Sequence, residues 1–382
     1  MNRRRINVLH VRDSGGLYGA EQVILGLGRR IDKARFGFSL ICLDRGDGKS
    51  EMLGRRARKL GIQVTMIPDK RGLDLGAISA IKDYIHREGV DICHSHDMKS
   101  NLYSLFAARR SKVILVTTAH GSTRDSLKKR LSLFVDENLV YRRFHKIIAV
   151  SREIRRKLIR SGIDSGSIAV IQNGIDKDLI DLFSEEGASD SRMEIPRKGK
   201  LIGIIGRLYP DKGHRFFLEA FSNVIRLYPD TKCIVVGDGP ERTGLQKRIR
   251  ESGLEDAVML CGARSNMKEV YNVIDFLVIP SKREGLPFTV LEAMIRKIPV
   301  VSTKVGDIPL LIQDDISGSL VEFGDINGMT GAMNNVIGNF QKYKQMAEVA
   351  YGTVMRDYTA DKMVYMTEQT YCGLLWNAQN QG

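Results

Sequence analysis

Two glutamates, Glu284 and Glu292, flank a segment whose sequence predicts a turn followed by a helix. Gly285 and a following proline suit the turn, and an apolar pattern with helical spacing begins directly after them. A helix leaves its first backbone N–H groups without internal partners, and such groups attract anions. The free amides are expected at Phe288, Thr289 and Val290. Carboxylates bind hydroxyl groups, and these two lie roughly 12 Å apart along a helix, so the segment predicts a site for a sugar joined to a diphosphate.

Two cations follow the first apolar run of the C-terminal half, within residues 206–213. Arg207 and Lys212 are expected at the carboxyl end of a strand, where they can neutralise a diphosphate and stabilise it as a leaving group. An arbitrary lysine or arginine is more often a solvated surface charge. The position at a strand end favours the functional interpretation.

The N-terminal half contributes a glycine loop and a histidine. Gly15 and Gly16 follow the first apolar run and precede a helix, so their backbone can approach a phosphate closely, although plain turns use glycine as well. His120 ends a buried strand, and this position favours function over the commoner structural role of a lone histidine. His94 and His96 lack a third ligand at recognisable spacing, so no metal site is predicted.

The net positive charge of the chain lies in its first half. The 382 residues carry a net charge of +14, and residues 1–180 contain 35 Lys and Arg against 19 Asp and Glu. This asymmetry predicts two different domains, the first of which meets an anionic partner such as a phosphorylated acceptor, a lipid headgroup or nucleic acid. The basic runs have no aromatic residues interleaved and no known reading motif, which disfavours nucleic acid.

Membrane contact is a second expectation from the charge pattern. No run approaches eighteen apolar residues and the start lacks the apolar region of a secretion signal, so we expect a cytoplasmic protein. A basic and apolar segment suits peripheral contact with the inner face of an anionic membrane, or a lipid-linked acceptor, and equally a core-facing helix with a solvated basic back. It contains Arg124, Lys128, Lys129, Arg130, Leu131, Leu133, Phe134 and Arg142–Arg143.

Short apolar runs alternate with amphipathic segments along the chain in two series, which predicts two doubly wound parallel sheets. The first series is 6–11, 38–43, 64–67, 92–94, 113–118, 147–150 and 169–171, and the second is 201–205, 233–236, 258–261, 276–279 and 300–302. Residues 1–178 then form an N-terminal domain, and residues 179–358 form a donor-binding domain that begins with a linker at about 177–200. Ligands are expected beyond the carboxyl ends of the strands, in a cleft between two Rossmann-like domains.

The order and spacing of these motifs resemble family 4 of the retaining glycosyltransferases, which have the GT-B fold. The resemblance covers nearly the whole chain. The matching segments are residues 15–22, 91–96, 118–121, 148–151, 170–176, 206–213, 235–240 and 280–294.

The resemblance implies transfer of a hexose-type sugar from a nucleotide donor, such as a UDP- or GDP-sugar, to a glycan, a lipid-linked acceptor or another hydroxyl group. It implies that Arg207 and Lys212 bind the diphosphate, that Glu292 binds the ribose and that Glu284 contacts the sugar. Because these cations, the helix amides and the glycine loop can stabilise the departing diphosphate, no metal or other cofactor is expected. A nucleotide-sugar epimerase or hydrolase of the same fold remains an alternative.

The resemblance also assigns roles to several backbone groups and to the end of the chain. The amides of Phe288, Thr289 and Val290 would bind phosphate, Gly16 would close on the diphosphate and His120 would lie near the reacting sugar. Recognition of the base is expected around Gly262 and Arg264. A helix within residues 359–382 is expected to cross back to the N-terminal domain.

Overall fold

The computed structural model describes residues 4–16, 18–70, 72–120, 139–184, 195, 198–264 and 266–380. Contacts within the chain divide it into two compact units. Unit 1 contains Met1–Gly174 together with Ala360–Gly382, and unit 2 contains Ile175–Thr359. The end of the chain therefore packs with its beginning.

Unit 1 is built on seven parallel strands in the order β3-β2-β1-β4-β5-β6-β7. The strands are Ile6–Arg12 (β1), Phe36–Asp44 (β2), Gln63–Pro68 (β3), Ile92–Ser95 (β4), Ile114–Ala119 (β5), Lys146–Ala149 (β6) and Ile168–Val170 (β7). The helices are Gly19–Arg30 (α1), Lys49–Lys59 (α2), Leu75–Arg87 (α3), Met98–Ala107 (α4) and Arg152–Arg160 (α5), with short 3-10 turns at Tyr141–Arg143 and Ser165–Ser167. The strand order reverses beside β1, so the loops after β1 and β4 flank the position where such sheets bind ligands.

The C-terminal helix, Ala360–Asn380, belongs to unit 1 and packs against α1. The Glu368 carboxylate accepts a hydrogen bond from the Asp32 amide at 2.8 Å. Tyr371 is fully buried, and its ring lies 6.2 Å from that of Phe36. The helix therefore contributes side chains to the core of unit 1.

Unit 2 is built on six parallel strands in the order β10-β9-β8-β11-β12-β13. The strands are Leu201–Ile205 (β8), Lys232–Val236 (β9), Val258–Gly262 (β10), Phe276–Ile279 (β11), Val300–Thr303 (β12) and Ser319–Val321 (β13). The helices are Lys177–Ser184 (α6), His214–Leu227 (α7), Arg242–Glu251 (α8), Met267–Val273 (α9), Phe288–Ile295 (α10), Ile308–Leu311 (α11), Ile326–Gly338 (α12) and Phe340–Asp357 (α13), with a 3-10 turn at Pro210–Lys212. β8 and β11 are neighbours in the middle of the sheet, so the loops after them lie side by side.

The fold class is confirmed, and the twelve predicted strands all occur within two residues of their predicted ends. β13 was not predicted; it lies at the edge of the sheet and pairs with β12. The first part of the predicted linker at 177–200, residues 177–184, is not a linker. It forms α6, whose Leu179 and Ile180 are buried in unit 2, because two apolar residues on one helical face suffice to anchor so short a helix.

None of the helices in the described part combines the length and the apolar character that crossing a membrane requires. The predicted basic and apolar segment at residues 124–134 lies outside the described residues. Arg142 and Arg143, at its far end, lie in the exposed 3-10 turn before β6.

Candidate active site

An ion pair between Lys212 and Glu284 forms the centre of the site in unit 2. Lys212 lies in the loop after β8 and Glu284 in the loop after β11, and the lysine Nζ is 2.7 Å from the glutamate Oε1. The Ser281 hydroxyl donates a second hydrogen bond of 2.7 Å to the same oxygen. The other oxygen, Oε2, forms no hydrogen bond with a described residue, so it can accept one from a sugar hydroxyl.

Backbone contacts hold these two loops together. The Lys282 amide donates to the Asp211 carbonyl at 2.8 Å, which joins the loop after β11 to the loop after β8. Gly213 has a φ of +70°, and a Cβ atom there would lie 1.8 Å from the Pro280 carbonyl oxygen. Only glycine fits this conformation and this approach. The loops therefore position Lys212 and Glu284 through the main chain.

Arg207 lies two residues after the end of β8 and is half-buried. Its guanidinium carbon lies 4.9 Å from the centre of the Tyr209 ring. Within the described ranges, no carboxylate pairs with this guanidinium. Sequence and structure thus agree that Arg207 and Lys212 belong to one strand-end loop, and Arg207 retains its hydrogen-bonding capacity for an anion.

The loop after β9 approaches the same backbone, a feature that the sequence analysis missed. Gly237 has a φ of +140°, and a Cβ atom there would lie 1.9 Å from the Gly206 carbonyl oxygen. At Gly239, with a φ of +159°, the Leu208 carbonyl oxygen would be 2.5 Å away. Two glycines separated by one residue directly after a strand are the sequence signal for this close contact.

The start of α10 supplies two free amides instead of the predicted three. The Val290 amide donates to the Pro287 carbonyl at 3.2 Å, in a 3-10-like first turn, so the prediction for Val290 is wrong. The amides of Phe288 and Thr289 have no acceptor among the described residues. Gly285, just before the helix, accepts a hydrogen bond from the Asp307 amide at 3.0 Å.

Glu292 lies further along α10 and is only 4% exposed. Its Oε2 accepts a 2.7 Å hydrogen bond from the Tyr271 hydroxyl. Burial and the nearby Glu292 carboxylate raise the pKa of Tyr271 well above its usual value, so the tyrosine remains a donor. Tyr271, which the sequence analysis did not identify, orients this carboxylate.

Gly262 and Arg264 lie at the end of β10. Gly262 has a φ of +70°, and its carbonyl accepts a hydrogen bond from the Gly237 amide at 2.8 Å. The Arg264 Nε donates to the Cys261 carbonyl at 3.2 Å. These residues therefore adjoin the β9 loop of the same sheet edge.

In unit 1, a buried glutamate holds the glycine loop after β1 through an ion pair and hydrogen bonds. Glu21 is fully buried and pairs with Arg12 at 2.9 Å, while its carboxylate also accepts hydrogen bonds from the Ser14 hydroxyl and the Tyr18 amide. Gly16 has a φ of +135°, which favours glycine, whereas a Cβ atom at Gly15 would meet nothing within 4 Å. The loop is therefore a pre-formed turn with open space at Gly15.

His120 belongs to a cluster of four histidines in unit 1. The His94 and His96 rings stack with centroids 4.5 Å apart, and His10 lies 4.7 Å from His94. The His96 Nδ1 is 3.1 Å from the His120 Nε2, and the His10 Nδ1 is 2.8 Å from the His96 Nε2. The sequence suggested only the His94 and His96 pair, because His10 arrives from the neighbouring strand β1.

Three histidines of this cluster have nitrogens close enough to one another to hold a metal. They are His10, His94 and His96, and the nitrogens lie within 4.8 Å of one another. Both nitrogens of each ring already take part in hydrogen bonds: those of His10 with His96 and Tyr371, those of His94 with Thr118 and Tyr371, and those of His96 with His10 and His120. A ligating nitrogen points its lone pair at the metal within the plane of its ring, so stacked rings suit a shared metal poorly. The geometry fits a hydrogen-bonded cluster better than a metal site.

Burial keeps these imidazoles neutral. It lowers the pKa of His94 to about 3 and lowers the pKa values of His10, His96 and His120 well below their usual range. The Arg12 charge lowers the pKa of His120 further. Near neutral pH each ring therefore carries one N–H donor and one acceptor nitrogen.

Comparison with known proteins identifies the family of each unit. The model of the family "Glycosyltransferase Family 4" matches residues 17–179, and that of "Glycosyl transferases group 1" matches residues 188–353. The chain is 26% identical to the UDP-Gal:alpha-D-GlcNAc-diphosphoundecaprenol alpha-1,3-galactosyltransferase of Escherichia coli, over 87% of this chain and 88% of that protein. It is also 26% identical to the N-acetyl-alpha-D-glucosaminyl L-malate synthase of Bacillus anthracis, over 80% of this chain and 81% of that protein.

Among solved structures, the chain resembles HepE of Anabaena in complex with UDP-glucose. The TM-score is 0.79 at 20% identity, and the match covers 97% of this chain and all of that chain. This similarity shows the fold, and the two family models together match most of the sequence. The chain therefore belongs to the group 1 glycosyltransferases of the GT-B fold.

Proposed function

We propose that this glycosyltransferase takes a hexose-type sugar from a uridine-diphosphate donor. The observation that carries the proposal is the Lys212 and Glu284 ion pair at the carboxyl edge of the unit 2 sheet, with Arg207 in the same loop. The pair presents a cation for phosphate beside a carboxylate oxygen for a sugar hydroxyl. The names of the Escherichia coli relative and of the HepE complex both contain a uridine nucleotide, which favours UDP over GDP.

In the proposed reaction, negative charge grows on the diphosphate as the bond to the sugar breaks. Lys212 and Arg207 stabilise that charge, together with the free amides of Phe288 and Thr289 at the start of α10. Glu284 orients the sugar through a hydroxyl group. Glu292, held by Tyr271, accepts hydrogen bonds from the ribose.

Two further features complete the proposed chemistry. The sugar retains its anomeric configuration, as in the family-4 enzymes, by attack on the same face from which the diphosphate leaves. Protein cations neutralise the diphosphate, so turnover proceeds without a divalent ion. Adding EDTA to a transfer assay tests the second point, because activity that is lost and then restored by Mg²⁺ or Mn²⁺ would refute it.

Thermal shift with UDP, GDP, ADP and their glucose conjugates tests the donor. A ligand that binds the folded state raises the melting temperature by mass action. We expect the uridine compounds alone to raise it, and Lys212→Ala to remove most of the shift. Lys200→Ala is the matched control, because Lys200 pairs with Asp275 at 3.6 Å just before β8, at the opposite end of the strand. A shift with GDP and none with UDP would overturn the choice of base.

We further propose a lipid-linked acceptor that is reached at an anionic membrane surface. The Escherichia coli relative is named for a diphosphoundecaprenol acceptor. In unit 1, α5 exposes Arg152, Arg156 and Arg160, and the preceding turn exposes Arg142 and Arg143. Such a basic face attracts anionic headgroups.

Co-sedimentation with vesicles tests this surface. Vesicles with anionic lipid should bind the protein at low salt, whereas purely zwitterionic vesicles should not. Replacing Arg152, Arg156 and Arg160 by alanine should abolish binding, while the same change at Lys247, Arg248 and Arg250 on α8 of unit 2 should not. Equal binding by both triple variants would contradict the proposal.

A donor hydrolase or epimerase is the alternative with a similar donor site. Incubating the protein with UDP-sugar alone separates the two. A transferase releases UDP only slowly without an acceptor, and rapid release or appearance of the epimeric sugar would favour the alternative.

A further inference from the structure

A continuous chain of hydrogen bonds runs through the core of unit 1 and ends at His120. The links are Thr118 Oγ1 to His94 Nε2 at 2.7 Å, His94 Nδ1 to Tyr371 Oη at 2.6 Å, Tyr371 Oη to His10 Nε2 at 3.4 Å, His10 Nδ1 to His96 Nε2 at 2.8 Å and His96 Nδ1 to His120 Nε2 at 3.1 Å. Residues from β1, β4, β5 and the C-terminal helix therefore share one network.

The number of protons restricts this chain to three states. A neutral imidazole has one N–H and one lone-pair nitrogen, and a hydroxyl group has one proton. Each link needs one donor and one acceptor, and a hydroxyl oxygen can accept from one or two donors. In the forward state Thr118 donates to His94 and every ring carries its proton on Nδ1. In the reverse state every ring carries it on Nε2. In the third state Tyr371 accepts from both His94 and His10, so that His94 keeps its proton on Nδ1 and the other three rings carry it on Nε2.

The two ends of the chain differ in their surroundings. Thr118 is 4% exposed, and its hydroxyl has no other partner among the described residues. The reverse state would leave this buried hydroxyl proton without an acceptor, which is unfavourable. The third state would leave the hydroxyl proton of Tyr371, which is also buried, without an acceptor among the described residues. At the other end, the His120 Nδ1 forms no hydrogen bond within the described part, and His120 is partly exposed. Water or a ligand can satisfy this atom in every state, so the buried hydroxyl groups of Thr118 and Tyr371 decide the direction.

We propose that Thr118 and Tyr371 are positioning residues that direct this chain toward His120, so that His120 presents an N–H donor at Nδ1. Tyr371 is needed because its hydroxyl accepts from His94 and donates to His10. The functional consequence rests on the proposed function and on the position near the reacting sugar that the family resemblance implies for His120. His120 then donates a hydrogen bond to an oxygen of the sugar or of the departing phosphate, and it does not act as a base.

The proton positions can be measured directly in the wild-type protein. Multiple-bond nitrogen-proton NMR spectra of protein with isotope-labelled histidine distinguish the two neutral forms of each ring. We expect His10, His94, His96 and His120 to be protonated on Nδ1. His145 is an internal reference, because its Nδ1 accepts a hydrogen bond from the Leu115 amide at 2.9 Å and its proton must lie on Nε2. Protonation of the four rings on Nε2 would overturn the proposal.

Variants test the role of Thr118. Thr118→Val removes the donor at the head of the chain, so the four signals should move toward the Nε2 form, and Thr118→Ser should restore them. Thr117→Val is the matched control, because Thr117 is a buried neighbour on β5 whose hydroxyl bonds to Asn101 at 2.7 Å, outside the chain. Unchanged signals in Thr118→Val would refute the role of Thr118. If this variant does not fold, the wild-type spectrum still decides the direction.

Activity separates this inference from the proposed function. We expect the kcat of Thr118→Val to fall about tenfold or more, with a smaller change in KM, because a donor to the reacting group is lost. A change in the NMR signals with unchanged kcat would leave the chain intact and refute the role of His120. Signals that do not change would refute the role of Thr118, whatever the activity.

Discussion

The candidate site of unit 2 consists of charged side chains, whereas that of unit 1 consists of neutral ones. In unit 2 the centre is an ion pair, Lys212 with Glu284, whose side chains are 20% and 11% exposed. In unit 1 it is a set of neutral imidazoles, and His10 and His94 are fully buried. Charges that must meet a charged ligand keep some contact with water, because complete burial would be costly. Groups that hold protons in place can be buried completely, provided that every nitrogen has a partner.

The loops that carry these groups differ in the same way. After β8, glycine is required by the close approach of another backbone, as at Gly213. After β1, the loop is held by the buried Glu21, and Gly15 has open space around it. Unit 2 therefore positions its charges through main-chain packing, whereas unit 1 positions its loop through side chains.

The largest expected effect concerns the ion pair. Lys212→Ala should lower kcat/KM of sugar transfer by roughly 100- to 1000-fold, because a cation is lost where charge develops on the leaving group. Lys200→Ala removes the same charge at the opposite end of β8 and should retain nearly all activity. Steady-state assays with UDP-sugar measure both. Equal losses in the two variants would show that net charge matters and the position of the pair does not.

The second prediction compares the loss of stability when a glycine is replaced in the loop after β8 and in the loop after β1. Gly213→Ala should destabilise the protein by about 3 kcal/mol or more, because its Cβ would collide with the Pro280 carbonyl. Gly15→Ala, in the loop after β1, should change stability by less than about 1 kcal/mol. Urea unfolding measures both values. A well-tolerated Gly213→Ala would mean that the two unit 2 loops are not packed as described.

The pH dependence of stability distinguishes buried histidines from exposed ones. The four clustered histidines have lowered pKa values in the folded state, about 3 for His94, but titrate near 6.5 when unfolded. The unfolded state then binds more protons below about pH 6.5, so stability is present above that pH and is lost as the pH falls. Asp13 opposes this between about pH 4 and 6, because its pKa is raised to about 6.

Each histidine contributes at most about 1.4 kcal/mol of stability per pH unit below about pH 6.5. Unit 1 should therefore lose a few kcal/mol of stability between about pH 7 and 5.5. Fluorescence of Trp376, the one tryptophan of the sequence, reports on the C-terminal helix of unit 1 during urea unfolding. A urea midpoint that does not change with pH would contradict the neutral state of the cluster.

The smallest expected effect is at the buried carboxylate of unit 2. Tyr271→Phe removes the 2.7 Å hydrogen bond to Glu292 and should lower stability by about 1–3 kcal/mol. Tyr365→Phe is the control, because Tyr365 is 61% exposed on the C-terminal helix. Thermal unfolding compares them, and equal melting temperatures would mean that the Glu292 carboxylate is satisfied without Tyr271.

Much of the fold was predictable from local patterns. β8 and β11 are apolar runs of strand length, and such runs mark buried parallel strands wherever they occur. β13 was not predicted, and α6 was predicted as part of a linker because the polar residues after it extend to the start of β8. Arg207 and Lys212 were predicted because their loop follows a recognisable strand, and Glu284 because a recognisable turn and helix follow it.

The sequence by itself determined which residues stand at the strand ends, since strand periodicity and glycine positions are local properties of the chain. Only the tertiary structure decided which partners those residues meet. His94 and Tyr371 are 277 positions apart, and His10 reaches the same cluster from the neighbouring strand. Tyr271 reaches Glu292 from a different helix. Such contacts depend on how helices pack on a sheet, and sequence spacing carries no record of that packing.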